Sequence, residues 1–162
     1  MSAMQGIASA RAKALKILDR LQFLAPLVLR LAIGLLFIPT GLGKIQHLDK
    51  VTAFFVDLHI PMPAFNATLV AWSEFLCGAA ILFGLFTRLA TIPLLVSMLV
   101  ALLTAQKDKI FSLDLFGLEE FHYLVILIAL AIIGPGAASL DHFVAGALSR
   151  KPAPSAAAVA AR

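Results

Sequence analysis

Residues 67–88, ATLVAWSEFLCGAAILFGLFTR, form an apolar run with one carboxylate, Glu74, set inside it. About 20 mostly apolar residues cross the hydrocarbon core of a bilayer, so the run is long enough to span. A charged Glu near the middle of a span costs roughly 2.5–3.5 kcal/mol on insertion scales, which predicts a side chain facing protein or water and not lipid. At about 100° per residue, Ala71, Glu74, Gly78, Ile81, Leu85 and Arg88 share one stripe. The small residues on it let a neighbouring helix approach closely. This is the helix against which the others are expected to pack.

The rest of the composition agrees. Of 162 residues, 61% are hydrophobic and 14% charged, and the mean hydropathy is +0.98, which is the profile of an all-α membrane protein. Four crossings use about 80 residues, leaving short loops, a basic start and a tail, with no room for a soluble catalytic domain. The net charge of +4 comes from basic residues at the ends of apolar runs, where they set topology and meet anionic headgroups. The partner this implies is the lipid bilayer and not nucleic acid. A single cysteine, Cys77, excludes an internal disulfide or a CxxC pair, and its apolar setting reads as a buried small hydrophobe.

Along the chain, residues 1–22 are a basic amphipathic segment, with Ala14, Ile17, Leu18 and Leu21 opposed to Arg11, Lys13, Lys16 and Arg20. Such a helix lies in the headgroup plane. The competing reading, a signal peptide over residues 1–45, is opposed by Arg30 within the apolar region, by the length of the run and by the lack of a clear A-x-A site following it. Residues 23–148 form the membrane domain, with crossings at about residues 23–43, 67–88, 89–104 and 121–134. A loop helix carries Phe54 and Phe55, and Ser139 caps a short helix through Leu148. Residues 149–162, low in complexity, are expected to be disordered. Outside the crossings, eight Lys and Arg lie on the side of the termini and four (Lys44, Lys50, Lys107, Lys109) on the other. The positive-inside rule then puts both termini in the cytoplasm.

With that topology the polar groups sort into two layers. Lys44, Glu74 and His122 lie toward the outer side, with Trp72 near enough to stack on a ring. Arg30, Arg88 and Asp141, with His142 beside it, lie toward the inner side, where two cations and an acid can tie the helix ends together. Buried polar groups need partners, and pairs across helices are the ordinary solution, so bracing the bundle is one reading. Another is that Glu74 with His122 lines a proton path or binds a quinone. A third is a metal held by His47, His59 and His122, although their spacing is not that of a compact ligand set. A haem motif, a phosphate loop and a Ser/His/Asp signal are all missing from the sequence, so it holds no catalytic residue set of its own.

Three segments in this order, LRLAIGLLFIPTGLGKI, SEFLCGAAILFGLFTRLA and IIGPGAASLD, resemble the DoxX family of small four-helix membrane proteins. The resemblance covers about residues 29–143. It rests on Arg30, Gly34, Phe37, Gly41 and Lys44, on Glu74, Gly78 and Gly84, on Thr87 and Arg88, and on Gly134–Gly136 with Ser139–Asp141. It implies a four-transmembrane-helix bundle, here with an N-terminal amphipathic interfacial helix, in a bacterial inner membrane and linked to redox physiology. Some relatives look like the membrane part of thiosulfate:quinone oxidoreductase, others like a membrane partner in a thiol-stress complex, and others accompany copper-handling proteins. The expected function is thus an accessory or docking subunit of a quinone- or thiol-linked redox complex, in contact with a protein partner or a second copy of itself. The alternatives are a membrane subunit of a thiosulfate/thiol:quinone oxidoreductase, and a metal-stress or small-molecule transport protein.

Overall fold

A computed structural model of the chain describes residues 2–148. The expected disordered tail, residues 149–162, lies outside the described residues. Seven α-helices follow one another: α1 (Ser2–Leu21), α2 (Leu24–Gln46), α3 (Leu48–Asp57), α4 (Pro63–Phe83), α5 (Thr87–Thr104), α6 (Glu119–Ile133) and α7 (Leu140–Leu148), with two short 3-10 turns between α5 and α6. Strands are absent among the described residues.

Helix α4 is the opening stretch of sequence, and its ends are written locally. Pro63 begins it, where a missing N–H costs nothing, and Gly84 ends it in the left-handed conformation with φ +70°. The Leu85 N–H then donates to the Ala80 carbonyl at 2.8 Å and closes the last turn. The helix therefore stops before Leu85 and Arg88, which the periodicity had placed on its stripe; Arg88 belongs to α5. The remainder of that stripe, Ala71, Glu74, Gly78 and Ile81, is buried.

Helix α2 lies against α4 through glycines on both sides. A Cβ on Gly34 would sit 2.6 Å from the Leu82 Cβ, and one on Gly78 would sit 2.9 Å from the Phe37 Cβ. Only bare backbone allows the two helices this separation. Helix α5 packs on α4 and α6, and α6 returns to α2, so α2, α4, α5 and α6 form a closed ring. Inside it Ile33, Phe37, Ile81, Leu94, Leu127 and Leu130 make the core. Outside, large apolar side chains such as Leu35, Leu89 and Ile132 are exposed, a surface that a bilayer and not water would cover.

Helices α2, α4 and α5 are each long and apolar enough to cross a membrane. The expected fourth crossing is α6, whose 15 residues extend about 22 Å at about 1.5 Å per residue, against a hydrocarbon core of about 30 Å. Its first turn carries Glu119 and Glu120, which shortens the apolar length. The ring has two distinct ends. At one, Arg30 of α2 meets the α4–α5 and α6–α7 connections; at the other, Lys44, α3 and the acidic start of α6 gather around Glu74. Pro26 of α2 touches Gly136, so the chain enters the ring and leaves it at the same end.

Candidate functional site

Glu74 is 1% exposed on the inner face of α4, one turn below Ala71 and one turn above Gly78. Burial on this scale requires a partner. It is supplied from α2, where the Lys44 ammonium binds Oε1 in the one ion pair among the described residues. Lys44 is the less buried member, with 35% of its side chain exposed. The second oxygen, Oε2, is buried and has no hydrogen-bond donor. Thr40 stands one turn before Lys44 and beside the carboxylate, with its hydroxyl donating to the carbonyls of Leu36 and Phe37 at 3.0 Å each.

The pair sits beside an open cavity of about 1120 Å³ lined by residues of α2, α3, α4, α5 and the start of α6. That exceeds the range of about 300–1,000 Å³ usual for small-molecule sites. Its walls are mainly apolar, with Leu36, Phe37 and Val70 among them, and Ser73 and Ser97 add hydroxyls. At its rim stand Lys50, His59, Gln106, Glu119 and Glu120. Tyr123 lines the cavity as well, edge-on to Phe37 with ring centroids 5.8 Å apart, and its hydroxyl donates to Glu119 Oε2 at 3.0 Å. His59 and Met62, which bracket the turn into α4, are held at φ 56° and 49°. Non-glycine residues rarely occupy this left-handed region, and such strain gathers at ligand sites.

Two residues grouped with the pair from sequence stand elsewhere. His122 is exposed and its Nδ1 lies 2.7 Å from the Leu118 carbonyl of its own helix start. Helix α6 buries Leu127 and Leu130, and counting back four residues from Leu127 puts Tyr123, not His122, on the inward face. That signal was present in the sequence. Trp72 is 45% exposed on the outer surface of α4 and packs edge-on against Phe75. Glu74 and Trp72 are two residues apart on a helix, about 200° around the axis, so both cannot face inward. His47, His59 and His122 are not gathered, and no group of three or more His, Cys, Asp or Glu among the described residues could hold a metal ion. Thr40, Ser73 and Tyr123 are the site residues that sequence reasoning passed over. Cys77 is half-buried against the core.

At the opposite end the expected charge cluster is resolved differently. Arg30 is 2% exposed, and its guanidinium donates to four carbonyls: Ile81 at 2.9 Å, Leu82 at 2.9 Å, Pro135 at 3.0 Å and Ala138 at 2.7 Å. The last carbonyls of α4 have no partner within their helix and carry its negative dipole end, so a planar five-donor cation fits them. Arg88 likewise donates to the Ile132 carbonyl at the end of α6, at 3.1 Å. Asp141 bonds backbone, accepting from the Phe86 N–H at 2.9 Å while its own N–H reaches the Gly84 carbonyl at 3.1 Å. Ser139 caps α7, accepting from the His142 N–H at 3.1 Å. This end is a clasp of cations on helix termini, not an ion-pair network.

A ring of apolar helices closed by an arginine clasp, with one Lys–Glu pair beside an internal cavity, defines a small integral membrane protein. Residues 25–107 match the DoxX family profile, and the chain belongs to the DoxX family. It is 33% identical over 120 residues to a Bacillus subtilis (strain 168) protein provisionally named oxidoreductase CatD, covering 73% of this chain and 85% of that one. It is also 33% identical over 125 residues to an uncharacterized membrane protein of Mycobacterium tuberculosis, covering 70% of this chain and 77% of that one. No solved structure matches.

Proposed function

We propose that this chain is an inner-membrane subunit that holds a quinone beside Lys44 and Glu74 for a redox partner, which supplies or removes the electrons. The observation that carries the reading is the Lys44–Glu74 pair beside a cavity of about 1120 Å³, with Glu74 Oε2 buried behind its surface and without a donor. A quinone fits those groups. Lys44 keeps N–H donors beyond the one spent on Oε1, and these suit a ring carbonyl; Oε2 suits a ring hydroxyl in the reduced form. Tyr123, held edge-on against the buried Phe37, offers an aromatic wall on which a flat ring can pack. When bound, a quinone supplies a two-electron, two-proton couple, and the chain's own residues bind and orient the ring. The oxidoreductase name of the Bacillus relative favours one extension, in which the subunit belongs to a thiosulfate- or thiol:quinone oxidoreductase.

In this reading α6 is the fourth crossing, α1 lies in the headgroup plane, and both termini are cytoplasmic. The four basic residues of α1 and the clasp residue Arg88 support that orientation. The test is to purify the protein in native lipid and quantify extracted quinone. Wild type is expected to carry it in stoichiometric amount and Glu74→Gln to lose most of it. Equal quinone in both preparations would overturn the assignment of the site.

A further inference from the structure

The cavity is larger than a ring needs, and it has two different openings. One is the polar rim of Lys50, His59, Gln106, Glu119 and Glu120. The other lies between the first half of α4 and the second half of α5. There Leu69, Val96 and Val100 line the cavity and are also 52%, 56% and 40% exposed on the outer apolar surface, flanking the small side chains of Ser73 and Ser97. The α4–α5 hairpin is closed near its turn by Ile81, Ala90 and Leu94, all buried. In its far half, Leu69, Val70 and Ser73 of α4 and Ser97, Val100 and Ala101 of α5 line the cavity, together with Phe55 of α3.

The geometry points to lateral loading: the ligand enters from lipid through the α4–α5 opening, and its tail stays there while its head reaches Lys44 and Glu74. The ligand class is therefore a bilayer-dissolved amphiphile with a hydrogen-bonding head and a single apolar tail. The inference rests on the Lys44–Glu74 cavity being the ligand site, and it adds the route and the tail. A headgroup bearing a further negative charge is disfavoured, because the carboxylates of Glu74, Glu119 and Glu120 outnumber the ammonium groups of Lys44 and Lys50 along the lining.

The test measures dissociation constants in lipid nanodiscs for a decyl-tailed benzoquinone and for the same ring without a tail. Ser97→Trp and Val100→Trp plug the opening; Leu103→Trp, exposed on the same helix but away from the cavity, is the control. Both plugs are expected to weaken the tailed ligand by about tenfold or more, which is the scale of overpacking an occupied space. They should leave the tail-less ring, which reaches the head site through the rim, within about twofold. The control should change neither ligand. Plugs that leave both ligands unchanged, or weaken both alike, overturn lateral loading. Glu74→Gln is expected to weaken both ligands; unchanged binding of both would overturn the Lys44–Glu74 head site and with it the quinone reading, while the plug variants by themselves decide the route. Should wild type bind neither, native mass spectrometry of the purified protein decides: a copurifying amphiphile lost in the plugs and kept in Leu103→Trp supports lateral loading, and its absence from wild type overturns it.

Discussion

Lys44 and Glu74 are unequal partners, and the inequality decides what their removal costs. Glu74 is 1% exposed while Lys44 keeps 35% of its side chain accessible. Lys44→Met strands a carboxylate that has nowhere to go, a loss on the order of 3 kcal/mol for a broken buried pair. Glu74→Leu strands only a lysine long enough to turn toward the rim, so about 1 kcal/mol is expected after allowing for its solvation. Thermal midpoints in detergent should rank Lys44→Met below Glu74→Leu, and the double variant should recover part of the difference; the reverse order would refute the asymmetry. Arg30 makes a second residue-scale case. Four carbonyls, two in the last turn of α4 and two in the α6–α7 connection, converge on its fork, and a lysine cannot reach them all, so Arg30→Lys should cost roughly 2–4 kcal/mol in the same assay.

Among the elements, the α2–α4 contact carries the fold, and it is set by residues with no side chain. A Cβ at Gly78 meets the Phe37 Cβ at 2.9 Å and the Ile38 backbone nitrogen at 3.1 Å, whereas one at Gly43 on the same pair of helices meets nothing within 4 Å. Gly78→Val should therefore push the helices apart and destabilise by about 1–3 kcal/mol. Gly43→Ala should be neutral or stabilising by up to about 1 kcal/mol, because alanine is the better helix former. Midpoints for the two variants that move together would show that close approach is not what these glycines provide. Helix α5 illustrates how tertiary packing reassigns a stripe. Periodicity marks Ala90, Leu94, Ser97, Ala101 and Thr104 as one face; Ala90 and Leu94 are in the core, but Ser97, Ala101 and Thr104 line the cavity. A face of small residues looks the same in sequence whether a helix or a void lies opposite.

For the molecule as a whole, both ends of the ring-forming chain lie at the Arg30 end, because Pro26 touches Gly136 and Arg30 bonds to Pro135 and Ala138. The proposed orientation puts that end in the cytoplasm. In a Cys77→Ala background, Lys109→Cys should be modified by a membrane-impermeant thiol reagent in intact cells, and Ala8→Cys only after permeabilisation. The opposite labelling pattern would invert the topology and with it the side from which a partner reaches the cavity rim.

Sequence alone was enough for what depends on neighbours along the chain. Apolar length marked α2, α4 and α5 as able to span and offered α6 as a fourth. Gly134 marked the end of α6, while periodicity ran past the stop at Gly84 to Arg88, and the cost of burying Glu74 forced it inward and called for a cation. Membrane insertion and helix capping are local physics, so their traces lie within a few turns of each residue. Tertiary structure alone decided which groups meet across space: that Lys44 and not His122 faces Glu74, that Arg30 takes carbonyls in place of Asp141, and that the helix ring leaves a void beside the ion pair. Those outcomes depend on the azimuth at which one helix lies against the next. Close approach at glycines sets that angle, and a helical stripe leaves it undetermined by a full residue in either direction.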